Sequence, residues 1–255
     1  MFKSLPEPNR EQLSRPPVNL VLFSIGYSTA EPWSADVGLR WRESLKRHGF
    51  LGKLQTVNNQ QTTVQQGVGL QLRSRVGHQV SQEHDGTTAT LFEDSIDVQS
   101  TKYTSWTEFQ TMLEAVIASA FDARKISVQN SLSLRYINAL STPEATSASY
   151  WRGKVRQPFL GPVADDSLMD GFKRGVYLLS YEDESITSEV RIGIQPDQVY
   201  HGCTAFVFDL EFQDGEPRGF ATGSILSRSD DLNTAALKVF QHILEESHWE
   251  ELKRS

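Results

Sequence analysis

The clearest hydrophobic pattern in the chain runs from residue 106 to residue 121 and has the period of an α-helix. Apolar side chains recur three or four positions apart, as one buried face of a helix requires. These side chains are Phe109, Met112, Leu113, Val116, Ile117, Ala120 and Phe121. Ser105 followed by Glu108 has the spacing of a capping box at the start of a helix. The pattern therefore predicts a long helix that packs on a sheet.

The segments around this helix show the alternation of apolar and polar residues that is typical of half-buried strands. One such strand, at 132–140, follows the helix directly and ends before Pro143. Four further strands are predicted ahead of the helix, the last three as an antiparallel meander: 18–25, 68–73, 88–92 and 95–100. Residues 55–66 are rich in Gln, Asn and Thr, and we expect a loop or a ragged edge strand there.

The second half of the chain repeats this order approximately. Three strands are predicted at 176–181, 189–194 and 205–212, and a helix follows them. Ser229 or Asp230 is a suitable cap for that helix. Its apolar stripe comprises Leu232, Ala236, Val239, Phe240 and Ile243. The sequence therefore predicts an α+β fold, built from two meander-plus-helix halves with the helices packed on one face. A pair of antiparallel sheets and one continuous sheet both fit this pattern.

The length of the chain and the positions of its prolines and polar stretches suggest three regions. Residues 1–17 are polar and broken by prolines, and we expect a flexible N-terminal lead. Residues 18–145 form the first α+β half, and residues 146–255 form the second half, which ends in an acidic helix. A chain of 255 residues is long enough for either one large unit or two intimately packed units.

Charge and composition disfavour some partners and some locations for this protein. The net charge is −7, and residues 205–255 hold ten acidic against five basic side chains. This balance disfavours nucleic acid as a partner, because nucleic-acid binders usually present a clustered basic face. No apolar run is long enough for a membrane span, and the N-terminus lacks the pattern of a secretion signal. With its single cysteine, Cys203, the chain is predicted to be cytoplasmic.

No pattern of catalytic, cofactor-binding or metal-ligating residues stands out. Asp209 and Glu211 share one face of a strand, but a solvated outer face accounts for such a pair. His201 and Cys203 also share a face, and no third group that would orient them is visible. We therefore predict no catalytic residues, no metal and no cofactor. Enzyme activity stays an open question, and the absence of a catalytic pattern counts against it.

Four residues around the long helix are the better candidates for binding. Arg135 and Asn138 interrupt the apolar pattern of the strand at 132–140. Tyr103 and Trp106 lie at the start of the helix that should pack near this strand. A structural role is the simpler explanation for such groups, since buried amides and guanidinium groups often tie down the backbone. If the protein has a recognition pocket, we expect it beside these four residues.

Two blocks of the sequence carry a resemblance to a known family. They are the Pro16-Pro-Val-Asn-Leu-Val-Leu stretch that leads into the first strand, and residues 92–109 together with the Leu134-Arg-Tyr-Ile-Asn segment. In both blocks the chain resembles a family of uncharacterised, sporadically distributed bacterial proteins of about this length. The resemblance implies no catalytic residues. A sporadic distribution is typical of mobile genes, such as those for toxin neutralisation or phage defence.

The leading hypothesis from the sequence is a non-enzymatic binding protein of the cytoplasm. We expect its partner to be another protein, held by exposed sheet edges or by the acidic C-terminal face. The competing hypothesis is a small-ligand sensor or an enzyme with a pocket between the two halves. A structural subunit of a homo-oligomer is the third.

Overall fold

The computed structural model describes residues 2–13, 16–65, 69–82, 86–168 and 172–254. These residues form one antiparallel sheet with helices packed on one of its faces, so the predicted α+β class is confirmed. The strands are β1 Val18–Thr29, β2 Gln55–Gln65, β3 Gly69–Ser81, β4 Thr87–Phe92, β5 Ser95–Ser100, β6 Ile126–Leu140, β7 Gly175–Asp183, β8 Ile186–Pro196, β9 Thr204–Asp214 and β10 Arg218–Gly219. The helices are α1 Ala35–Lys46, α2 Trp106–Ala123, α3 Thr222–Ile243 and α4 Glu246–Arg254. None of the helices in this part of the chain is long and apolar enough to cross a bilayer.

The sheet runs without a break across both halves of the chain. The strand order is β2-β3-β4-β5-β1-β6-β9-β8-β7, and the short β10 pairs with β6. β1 and β6 lie side by side at the centre, with the first meander on one side and the second meander on the other. Of the two arrangements that the sequence allows, the continuous sheet is the one that forms.

Alternation along the central strands decides which side chains face the helices. On β6, Leu132, Leu134 and Tyr136 are buried beneath the helices, whereas Ser133 and Arg135 lie on the open face of the sheet. β9 continues the same two faces, with four buried apolar side chains on the helix side: Phe206, Phe208, Leu210 and Phe212. Around Ser133 and Arg135 the open face is polar, so a single layer of helices is sufficient to cover the core at the centre of the sheet.

α2 largely follows its sequence prediction. The Ser105 hydroxyl accepts a hydrogen bond of 3.2 Å from the backbone N–H of Glu108, which is one half of the predicted capping box. The carboxylate of Glu108 accepts from the Thr104 hydroxyl instead of the backbone N–H of Ser105. The helix buries one continuous face, which comprises Phe109, Leu113, Val116, Ile117 and Ala120. Phe121 departs from the expectation, because it is 51% exposed and stacks on Phe220 instead of entering the core.

α3 begins earlier than the sequence suggests, so the predicted cap at Ser229 or Asp230 is wrong. The helix starts at Thr222, and Ile225 extends its buried face by another turn. The Ser229 hydroxyl is buried within the helix and donates to the carbonyl of Leu226 at 2.7 Å. Burial of Ile225 in the core stabilises the first turns of α3, whose own sequence shows little apolar periodicity.

β2 is an edge strand, which is one of the two alternatives for residues 55–66. It pairs with β3 from Gln55 opposite Gln79 to Gln65 opposite Gly69. β3 reaches β4 only through residues 77–81. The outer part of this hairpin therefore extends beyond the sheet as a two-stranded ribbon, and its tip at residues 66–68 lies outside the described part of the chain.

The N-terminal segment, for which we expected flexibility, packs along α3 in the residues that the structure describes. Phe2 and Leu13 are both buried, and the ring of Phe2 meets Phe212 edge-on at a centroid distance of 5.3 Å. Between these two anchors the segment lies on the surface of the helix. Its position gives the chain an additional wall beside the sheet.

Candidate binding site

A cleft of about 280 Å³ opens between the helix side of the sheet, the start of α2, the last two helices and the N-terminal segment. Elements from both halves of the chain therefore meet around it. Five aromatic side chains line it: Tyr103, Trp106, Tyr136, Phe240 and Trp249. Clefts with apolar, aromatic walls and a few placed polar groups are the usual form of small-molecule sites.

Trp106 fixes one wall by bridging two helices. Its indole Nε1 donates a hydrogen bond of 2.9 Å to Oδ1 of Asp230, so the first turn of α2 is held against the middle of α3. The ring also packs near Phe109 at a centroid distance of 6.1 Å. The same carboxylate lies 3.7 Å from Nη1 of Arg10 in the N-terminal segment. Asp230 thereby connects three elements at the rim of the cleft.

A line of hydroxyl and amide groups crosses the floor. The hydroxyl of Tyr136 donates to Oδ1 of Asn233 at 2.8 Å, and the ring of Tyr103 stands edge-on to Tyr136 at 5.6 Å. Burial raises the pKa of Tyr103 to about 12. Burial, together with the neighbouring Tyr103, raises the pKa of Tyr136 well above its ordinary value. Both side chains are therefore neutral phenols at physiological pH, and the proton of Tyr136 is the one donated to Asn233.

Two buried amides keep unused hydrogen-bonding capacity. Asn138 donates through Nδ2 to the carbonyls of Tyr136 and Phe208, at 3.3 and 3.1 Å. Its Oδ1 accepts no hydrogen bond from a described residue. Asn233 shows the reverse, since its Oδ1 accepts from Tyr136 while its Nδ2 has no acceptor among the described residues. Because both residues line the cleft, they offer it one acceptor and one donor.

Three of the four residues singled out from the sequence thus line the same cleft. Arg135 does not, because it lies on the open face of the sheet. There its guanidinium donates two hydrogen bonds to the carboxylate of Asp209, at 2.7 and 2.6 Å. These bonds to Asp209 raise the pKa of Arg135. Arg135 and Asn138 are three positions apart on one strand, and an odd separation places two side chains on opposite faces.

The sequence reasoning missed the contributions of Tyr136, Asn233 and the N-terminal segment. Asn233 is a polar residue beside the apolar stripe of α3, directly after Leu232, and that interruption was a detectable signal. No comparable signal marked residues 10–13, since they look like any polar lead. Their role depends on where the segment folds back.

The N-terminal segment forms the outer wall mainly through exposed polar contacts. Lys238 and Lys253 pair with Glu7 and Glu11 at 2.7 and 2.8 Å. Asn9 exchanges two backbone hydrogen bonds with the side-chain amide of Gln241, at 2.9 and 2.6 Å. Exposed ion pairs contribute only about 0–1 kcal/mol each. The free energy that holds this wall against α3 therefore comes mainly from its buried anchors, Phe2 and Leu13.

The other candidate groups from the sequence do not assemble into a reactive site. The thiol of Cys203 donates to the carbonyl of Pro143 at 3.4 Å, while His201 is exposed. Asp209 and Glu211 share the open face, as the strand pattern predicts, and both interact with arginines there. In the part of the chain that the structure describes, no group of three or more His, Cys, Asp or Glu side chains has the arrangement of a metal site.

Comparison with known proteins adds no family and no fold assignment. No family model matches the chain, and no curated protein matches it either. Among solved structures, an RNA triphosphatase of S. pombe aligns over 94% of this chain and 86% of its own, with 9% identity and a TM-score of 0.13. A likeness of that size carries no argument about fold or function.

Proposed function

We propose that the protein binds a small, flat and uncharged molecule in the cleft beside Tyr136. The observation that carries the proposal is the pairing of aromatic walls with two unused amide groups at buried positions. The free amide atoms are open to the cleft, so a ligand can replace solvent as their hydrogen-bond partner. The proposal corresponds to the ligand-binding alternative from the sequence analysis.

The lining defines the chemistry of the ligand. Aromatic walls favour a planar ring, since offset and edge-on ring contacts are attractive at centroid distances of about 4.5–7 Å. Asn138 supplies an acceptor and Asn233 supplies a donor, which together match a neighbouring N–H and C=O on the ligand. The charged side chains of the lining, Arg10 and Glu11, both belong to the exposed N-terminal segment. A charged ring substituent would therefore meet no counter-ion at the floor.

Binding to purified full-length protein tests the proposal. Nicotinamide and uracil are suitable probes, because each combines a neutral ring with adjacent N–H and C=O groups. Benzoate and benzylamine are the charged controls. We expect the neutral probes to quench tryptophan fluorescence and to raise the melting temperature, since Trp106 and Trp249 both line the cleft. If the charged controls bind as well as the neutral probes, the assignment of the ligand class is wrong.

A variant that fills the cleft locates the binding. Ala236 lies on α3, is buried and lines the cleft, so Ala236→Leu places three more carbon atoms in the cavity. We expect it to abolish probe binding. Ala235→Leu is the matched control, because Ala235 is also buried on α3 but does not line the cleft. Equal probe binding by Ala236→Leu and the wild type would contradict the proposal.

Binding of another protein is the second candidate. It stays a prediction, and the observation that favours it is a group of exposed apolar side chains around the open sheet face: Val176 at 56%, Leu178 at 52% and Val199 at 73%. Exposed apolar side chains that lie close together often mark interaction surfaces. We retain a cytoplasmic location as part of both proposals, supported by the single cysteine.

A further inference from the structure

β7 is an edge strand without the features that usually prevent edge-to-edge pairing. It bonds to β8 alone, in a register that runs from Gly175 to Asp183 without a bulge. Residues 175–181 contain no proline and no charged side chain. Natural edge strands are commonly protected by lysine, proline or a bulge. Along β7 one row of backbone N–H and C=O groups therefore faces outward, and no backbone hydrogen bond from another described residue reaches it.

Charges of opposite sign flank this unprotected stretch. Lys173 and Arg174 precede it, and both are exposed without an ion pair to another described residue. Glu182 and Asp183 end it, and Glu182 is likewise exposed. A strand with a basic start and an acidic end is complementary to itself when a second copy runs antiparallel to it.

We propose that β7 pairs antiparallel with β7 of a second copy of this chain, with Leu178 on the two-fold axis. In this register Arg174 lies opposite Glu182 of the partner, and Val176 lies opposite Ser180. Val176, Leu178, Ser180 and Glu182 all belong to the exposed face of β7, and the exposed Arg174 directly precedes the strand. Tyr177 meets Leu179 of the partner on the inner face. The pairing extends the sheet of one protomer into the sheet of the next.

A second copy fits this edge better than an unrelated chain does, because the pattern is palindromic. Every pair in the register occurs twice, once on each side of the axis, which is the signature of a closed two-fold interface. The opposite edge of the sheet, β2, carries no charged residue that would define such a register. The pairing also shields Val176 and Leu178 at the rim of the new interface.

Solution mass as a function of concentration tests the pairing. We expect full-length protein to approach twice 28.7 kDa in light scattering as the concentration rises. Leu178→Lys places two like charges on the axis and should leave a monomer. Leu39→Lys is the matched control, since Leu39 is 54% exposed on α1, which packs against α2. A monomer at every concentration, or a dimer that tolerates Leu178→Lys, would overturn the proposal.

Charge exchange and cross-linking test the register itself. Arg174→Glu and Glu182→Arg should each raise the dimer dissociation constant roughly ten-fold, and the double variant should restore it. In a Cys203→Ser background, Leu178→Cys should form an intermolecular disulfide, because opposed Cα atoms lie about 4.5–5.5 Å apart. Ser180→Cys should not, since its two copies are offset by four residues, roughly 13 Å. Equal cross-linking by both cysteine variants would exclude this register.

Discussion

The indole Nε1 of Trp106 donates to the carboxylate of Asp230 across 2.9 Å, and this bond joins the two long helices at the mouth of the cleft. The two residues are far apart in sequence and belong to different halves of the chain. Because hydrogen bonds to charged groups are stronger than neutral ones, the contact stabilises both the fold and the shape of the candidate site.

Trp106→Phe removes this donor and keeps an aromatic ring in place. We expect the free energy of unfolding to fall by about 1.5–3 kcal/mol, the usual contribution of a hydrogen bond to a charged group. Urea denaturation measures the change. Trp249→Phe is the control, because no described residue accepts a hydrogen bond from Trp249, and it should cost less. A double variant with Asp230→Ala that loses the sum of the two single effects would show that the residues are not coupled.

The buried tyrosines should delay the alkaline titration of the folded protein. Burial raises the pKa of Tyr27, Tyr103 and Tyr177 to about 12, and that of Tyr136 further above the ordinary value. The unfolded chain loses these protons near pH 10. Their contribution to stability is therefore complete below pH 10 and declines as the pH rises toward 12. Absorbance at 295 nm should show four tyrosines that ionise well above pH 10 while the protein stays folded.

His78 should make the protein less stable in mild acid. The ring is 9% exposed, stacks on Trp33 at 5.1 Å, and neither of its nitrogens has a hydrogen-bond partner among the described residues. Burial lowers the pKa of His78, so the unfolded state binds more protons below about pH 6.5. We expect the free energy of unfolding to decrease as the pH falls through that range.

Chemical denaturation at pH 7.5 and at pH 5.5 compares this dependence between wild type and His78→Phe. The variant should lose less stability over the interval. Some dependence should persist, because burial also lowers the pKa of His242 and His248. If wild type and variant lose the same free energy of unfolding between pH 7.5 and pH 5.5, His78 does not contribute to the pH dependence.

Two helical glycines should respond to alanine in opposite directions. A Cβ on Gly38 in α1 would lie 2.4 Å from the ring of His78, so Gly38→Ala should destabilise the fold by about 1–3 kcal/mol. A Cβ on Gly223 in the first turn of α3 would meet nothing within 4 Å. Gly223→Ala should therefore stabilise the protein by about 0.4–1 kcal/mol. Thermal unfolding of the two variants is sufficient to compare them.

Local sequence patterns were enough to predict much of the architecture, because the elements concerned are set by residues close together in the chain. Ser105 and Glu108 predicted the start of α2 correctly, and alternation correctly assigned the two faces of β9. The start of α3 was wrong, because its first turns are stabilised by docking of Ile225 and not by a cap at Ser229. Phe121 fits the helical period but lies at the margin of the buried face, where it stacks on Phe220.

The candidate cleft likewise combines features that local patterns predict with features that depend on long-range contacts. The α+β class, the long helix and the opposite faces of Arg135 and Asn138 follow from periodicity, capping and strand parity, which are short-range properties. Tertiary contacts settle instead that the sheet is continuous, which face of β6 the helices cover, and that the N-terminal segment closes the cleft. Those outcomes depend on contacts between residues far apart in the chain, and their free energy is not encoded in any local pattern.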